Sequence, residues 1–239
     1  MADVSLIREQ SPPSAFAESK LNVYTRPQFW WRVLLVAAGA LGLLTGDHRI
    51  AYYTTQSNVI VLGYYLGVLY WMRRRRSVDP AAPRLRGAVT LWILVTGLVA
   101  HFLLNHGENP LPGLGHGDPA TLLANRSLFL VHYVVPVMAV VDWVTFGPHR
   151  VAGWRDLPAW LSFPLGYGLT SVLRAIVFPT VPERYPYSFL DPTQHGYGWV
   201  VLQLLQLGVE IGVLGALLLG VDRLAGSRRR MFHFGIMGR

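Results

Sequence analysis

Tyr52-Tyr53-Thr54-Thr55-Gln56-Ser57-Asn58 opens a long apolar stretch with an unusual density of hydroxyl and amide side chains. Read as a helix, it puts Thr54, Ser57 and Asn58 on one face at i, i+3 and i+4, with Thr55 and Gln56 rotated away. A second stretch carries His132 four residues before Pro136, and a third carries His101 and Asn105. A threonine hydroxyl beside an imidazole is a pair that nucleophilic catalysis uses. Two histidines on neighbouring helices are also a pair that ligates haem, and intramembrane carboxylates such as Asp142 and Glu210 carry protons in transporters. These three chemistries define the alternatives.

Depth narrows the choice. If the segments cross a bilayer, Thr54 and Asn58 lie near the outer start of one helix. His132 lies about 10 Å down another at 1.5 Å per residue. His101 and Asn105 return to the same outer third on a third, so the four polar groups Thr54, Asn58, His101 and His132 can share one pocket. Pro136 lacks the N–H that the carbonyl of residue 132 expects in an α-helix, which predicts a kink and a free carbonyl beside the imidazole. Threonine and serine in membrane helices commonly satisfy local carbonyls or join helices, which is the structural alternative. Arg174, near the outer end of the fifth stretch, either reaches outward to the interface or holds a substrate carboxylate. Gln203 and Gln206 read as interhelical hydrogen-bonding groups. Soluble-enzyme signatures such as G-x-S-x-G, HExxH and the P-loop are absent from the sequence.

The elements that must position these groups are six apolar stretches, at about 27–46, 51–72, 87–105, 125–146, 157–178 and 197–221, each near the ~20 residues a transmembrane helix needs. The fold class is therefore all-α: a polytopic bundle of six transmembrane helices. Arginines fall at every second boundary: Arg26, Arg73–Arg76 with Arg84 and Arg86, Arg150/Arg155, then Arg223 and Arg228–Arg230. The opposite loops offer only Arg49, Arg126 and Arg184. The positive-inside rule then makes both termini cytoplasmic. The organisation follows as a disordered arm over 1–25, a membrane domain over 26–222, and a basic tail over 223–239. Residues 1–20 lack the apolar core of a signal peptide, leaving the first helix as the insertion signal.

The chain has 239 residues, of which 52% are hydrophobic and 14% charged, room for one bundle. Its net charge of +8 sits in short turns beside the spans, which lipid headgroups and insertion explain without a nucleic-acid partner. Cysteine is absent, so thiolate chemistry and cysteine metal sites are excluded. Phe29–Trp31, Tyr52/Tyr53, Trp71, Trp143, Trp160 and Trp199 read as interfacial anchors. The Gly-, Pro- and His-rich loops 106–124 and 179–196 are long enough to fold over the mouth of the bundle.

Tyr53-Thr54-Thr55-Gln56-Ser57-Asn58, His132-Tyr133-Val134-Val135-Pro136 with Asp142-Trp143, and Tyr185-Pro186-Tyr187-Ser188-Phe189-Leu190-Asp191 resemble a bacterial family of six-helix integral membrane proteins. That family is similar to the androgen-induced-protein family of eukaryotes, whose members hydrolyse fatty acid esters of hydroxy fatty acids with an intramembrane Thr and His. The resemblance spans about residues 28–221. It implies a bacterial plasma-membrane location, a lipid substrate, no cofactor and no metal. It implies Thr54 as nucleophile and His132 as base, with Asn58 as a possible oxyanion donor and His101 and Arg174 as substrate-binding candidates. Thr55, directly after Thr54, departs from the eukaryotic pattern and is a reserve nucleophile. The readings that stand beside hydrolysis are a haem held between His101 and His132, for electron transfer, and a transport or sensing site served by Asp142 and Glu210, with Asp142 at the inner end of its helix close enough to the interface to be solvated.

Overall fold

A computed structural model describes the chain from residue 22 to residue 236, and its side chains as far as residue 227. Six long helices carry the fold: α1 (Pro27–Thr45), α2 (Tyr53–Arg75), α3 (Pro83–Leu104), α4 (Pro119–Thr145), α5 (Leu157–Val177) and α6 (Gly196–Ile236). The protein is all-α and polytopic. Four of the helices, α1, α3, α4 and residues Gly196–Ser227 of α6, are long and apolar enough to cross a membrane. Helices α2 and α5 have 23 and 21 residues, also sufficient length, but α2 begins with the Thr/Gln/Ser/Asn cluster and ends in Arg73–Arg75.

Helix starts fall where the backbone is capped or pre-set. Pro27, Pro83 and Pro119 sit at the first helical position, where the missing N–H costs nothing. Asp118 accepts from the N–H groups of Ala120 and Thr121, so α4 begins six residues earlier than the sequence reading placed it. At the other end, α6 runs on to Ile236 as one helix, through most of the stretch read as a separate tail. The arm read as disordered lies mostly outside the described residues. Its last part, Val23–Thr25, forms an Asn22-capped turn with Val23 buried.

Helix α3 is the centre of the bundle and packs on α2, α4, α5 and α6, while α1 closes one side against α2 and α4. Small residues set the close approaches. A Cβ at Gly42 of α1 would meet Val131 Cγ1 of α4 at 2.8 Å, and one at Gly97 of α3 would meet the His132 carbonyl at 2.9 Å. Without a hydrophobic drive between helices in lipid, such contacts and interhelical hydrogen bonds carry the association. Trp143, Trp160 and Tyr53 are buried in the main core and are not interfacial anchors. Their polar atoms find partners there: Trp143 Nε1 donates to the Leu218 carbonyl at 3.4 Å, and the Tyr53 hydroxyl to the Trp92 carbonyl at 3.3 Å.

The arginine-rich end is fixed by a buried ion cluster. Arg32 of α1 pairs with Asp142 of α4 at 2.8 Å, Arg86 of α3 approaches the other carboxylate oxygen at 3.5 Å, and Tyr65 donates to it at 3.3 Å. Arg32 also donates to the Val78 carbonyl, and Arg86 to the carbonyls of Phe146 and Gly147, so two interhelical turns hang on this cluster. Asp142 is fully buried, not solvated at an interface as its position near the helix end had suggested. Nor does it face Glu210, which lies exposed on α6 and accepts from Gln206 of the same helix.

Candidate functional site

The site forms where two helices depart from α geometry. Residues Val99–Leu104 of α3 and Leu130–Val134 of α4 are π turns, in which N–H groups reach back five residues. Such turns widen a helix, expose carbonyls and recur at functional sites. In α4 the last of these bonds runs from Val135 N–H to the Leu130 carbonyl. The next donor in that register would be residue 136, a proline with no N–H. In that register the Val131 carbonyl loses its donor. Asn58 of α2 satisfies it: Nδ2 donates to the Val131 carbonyl at 3.2 Å and to the Thr54 carbonyl at 2.9 Å.

The π turn also aims His132. Its Nδ1 lies 3.0 Å from the Leu128 carbonyl and its Nε2 lies 3.1 Å from Thr54 Oγ1. A carbonyl only accepts, so Nδ1 carries the proton and the lone pair sits on Nε2, facing the threonine. This is the tautomer a general base needs, oriented by a backbone carbonyl in the place where other dyads use a carboxylate. Thr54 is the second residue of α2; Thr55 borders the outer vestibule beside it, and the bond to His132 is made by Thr54. Ser57 bonds Thr96 of α3 at 2.6 Å and the Thr54 carbonyl at 3.1 Å, and so joins α2 to α3.

One further group borders the pair. Tyr187, in the loop before α6, lines both the cleft and the vestibule beside Thr54. Tyr52 caps α2 without a side-chain bond, and the first α-helical bond is Gln56 N–H to the Tyr52 carbonyl, so the first N–H groups of the helix lack helical partners. Burial raises the Tyr187 phenol above its ordinary range, so it is protonated at neutral pH. The ring packs edge-on against Tyr52 and Tyr167 and stacks on Phe189. An ion pair between Arg49 and Glu183 straps the same loop to the α1–α2 turn.

The residues read from the sequence thus separate. Thr54 and His132 meet directly. Asn58 lies one turn below, with both amide protons committed to carbonyls, so it holds α2 against α4 and has no proton left for a substrate oxyanion. His101 bonds the Tyr133 hydroxyl at 3.3 Å and does not face the pair. Arg174 donates to the Glu183 carbonyl and holds the loop, with no contact to the cavities around Thr54. Tyr187 was missed as a site residue: it stood in a quoted motif, but nothing in its spacing ties it to Thr54. Both ring nitrogens of His132 are engaged, so haem ligation there would break its bond to Thr54 or to Leu128. Among the described residues no group of three or more His, Asp or Glu side chains could hold a metal ion.

No family model, curated protein or solved structure matches this chain.

The pair sits between unlike spaces. Toward α3, α5 and α6, Thr54 borders a narrow apolar cleft of about 50 Å³, which shares Val95, Val99, Leu207 and Ile211 with a lateral groove of about 310 Å³. Outward, Thr54 and His132 together border a vestibule of about 480 Å³ whose walls include Asp47, His48 and Arg49. A hydroxyl nucleophile placed between a dry groove and a wet chamber suits a substrate with one apolar part and a bond that water must reach.

Proposed function

We propose that this chain is an intramembrane hydrolase of lipid esters, with Thr54 as nucleophile and His132 as general base. Its type substrate is the fatty acid ester of a hydroxy fatty acid, as the motif likeness implies. The observation that carries the reading is the Leu128 carbonyl–His132–Thr54 chain, at 3.0 and 3.1 Å. His132 Nε2 takes the Thr54 proton as Oγ1 attacks the ester carbonyl, then gives it to the leaving alcohol as the carbon–oxygen bond breaks. Water from the vestibule, deprotonated by His132, attacks the threonyl ester; Thr54 leaves, regains its proton and the fatty acid is released. The Tyr187 hydroxyl and the N–H groups at the start of α2, which lack helical partners, serve the oxyanion, the role that Asn58 is too committed to fill.

The protein lies in a bacterial plasma membrane in this reading, crosses it six times, and keeps both termini in the cytoplasm. The four long apolar helices, the lengths of α2 and α5 and the arginine asymmetry support this. Fusion reporters test it: one at the C-terminus should read cytoplasmic and one at Gly113 external.

The test of function is release of fatty acid from a hydroxy-fatty-acid ester by the purified full chain in detergent. Turnover that disappears in both Thr54→Ala and His132→Ala supports the reading. Turnover that survives both substitutions contradicts it, and a haem spectrum in the purified protein would favour electron transfer.

A further inference from the structure

Thr54 and His132 border different spaces, and that difference assigns the two halves of a substrate. Thr54 lines the apolar cleft, with Val95, Val99, Leu204, Leu207 and Ile211 among its walls; His132 does not. His132 instead lines a chamber of about 420 Å³ under the 106–118 loop, whose walls include Asn105, Asn109 and Asn125; Thr54 does not. The vestibule, which both residues line, carries Asp47, His48 and Arg49.

We infer that the cleft between α3, α5 and α6, together with the lateral groove that shares its walls, is an acyl-chain subsite, and that the alcohol half of the ester occupies the chambers beside His132. This inference rests on the hydrolase reading and goes beyond it by fixing direction. The attacked carbon must bond to Thr54 Oγ1, and the leaving oxygen must face His132 Nε2 to receive its proton. The acyl chain then extends away from His132, into the space that Thr54 borders alone. That space is apolar, so it takes a hydrocarbon chain. The leaving side is lined by asparagine amides and by Asp47, His48 and Arg49, so it takes an alcohol bearing hydroxyl or carboxylate groups. Val95, Val99, Leu207 and Ile211 also wall a lateral groove between α3 and α6, which places the subsite next to bilayer hydrocarbon. The chemical class is a long-chain acyl ester of a polar alcohol. An ester with a short acyl group on a long alkyl alcohol is disfavoured.

Two measurements test it on the detergent-solubilised full chain. Glycerol monoesters of increasing acyl length should show kcat/KM rising about fourfold per added methylene, from roughly 0.8 kcal/mol each, until the cleft and groove are filled. Glycerol monopalmitate should exceed hexadecyl acetate, which carries its long chain on the alcohol, by at least tenfold. Leu207→Trp, which fills the cleft, should lower the ratio of palmitoyl to butyryl turnover by about tenfold or more. Equal or better turnover of hexadecyl acetate, a flat length series, or an unchanged ratio in a folded Leu207→Trp protein overturns the subsite while leaving hydrolysis intact. Failure to turn over any ester removes the hydrolase reading, and this inference with it.

Discussion

Asn58 of α2 donates to the Val131 carbonyl of α4 at 3.2 Å, and this bond satisfies a backbone acceptor that the π turn and Pro136 together leave open. The same amide holds the Thr54 carbonyl at 2.9 Å, so one buried side chain sets the spacing between the helix that carries Thr54 and the helix that carries His132. Asn58→Ala should leave a buried acceptor unpaired and cost about 1–3 kcal/mol. Asn58→Asp should be worse, since a carboxylate would face two carbonyl oxygens. Melting temperatures of the two purified variants check the order.

Thr54 and His132 should behave as one machine. Thr54→Ala and His132→Ala should each remove turnover, and the double variant should be little worse than either, because groups of one catalytic unit are non-additive. Thr55→Ala should keep most activity, since Thr54 and not Thr55 meets His132. A double-mutant cycle on kcat/KM measures this. Multiplicative losses would show that the two residues act separately.

Tyr187→Phe should lower kcat by about 10²–10³-fold with little change in KM, the usual effect of losing an oxyanion donor. Its raised phenol also sets a sign. Below the ordinary tyrosine value of 10.0 the folded and unfolded chains are both protonated at this residue, so it adds no pH dependence to stability. Above that value the unfolded chain loses a proton that the folded chain keeps, and stability falls as pH rises. Tyr187→Phe should flatten that alkaline fall, which thermal melts at a series of alkaline pH values will show.

Asp142 is the counter-charge for two buried guanidinium groups. Asp142→Asn should cost about 3–5 kcal/mol, because it leaves uncompensated buried charge. Replacing Arg32 and Asp142 together with leucine should cost less than Asp142→Asn. Thermal stability and accumulation in the membrane measure both. A mild effect of Asp142→Asn would show that water already solvates the cluster.

The sequence made the helices and the central pair legible for physical reasons. Apolar runs of bilayer length mark α1 to α6, closely for α1, α2, α3 and α5 but not at the start of α4 or the end of α6, and matching depth brought Thr54 and His132 to one level. The errors have causes as definite. The earlier start of α4 follows from Asp118 capping ahead of Pro119, a local signal that hydropathy does not weigh. The Val131 carbonyl was not foreseen as an acceptor for Asn58, because the π turn shifts the register by one and no residue pattern announced it. Asp142 looked interfacial because its partners, Arg32 and Arg86, come from helices distant in sequence. Tyr187 joins Thr54 through the folding of a loop, which periodicity does not reach.

The most direct test of the account is covalent. The purified protein should react with a fluorophosphonate probe, and peptide mapping should find the adduct on Thr54 Oγ1. His132→Ala should abolish the labelling, because the lone pair that activates the hydroxyl is gone. An adduct on Thr55 or Ser57, or labelling of equal extent in Thr54→Ala, would contradict the assignment of Thr54 as the nucleophile.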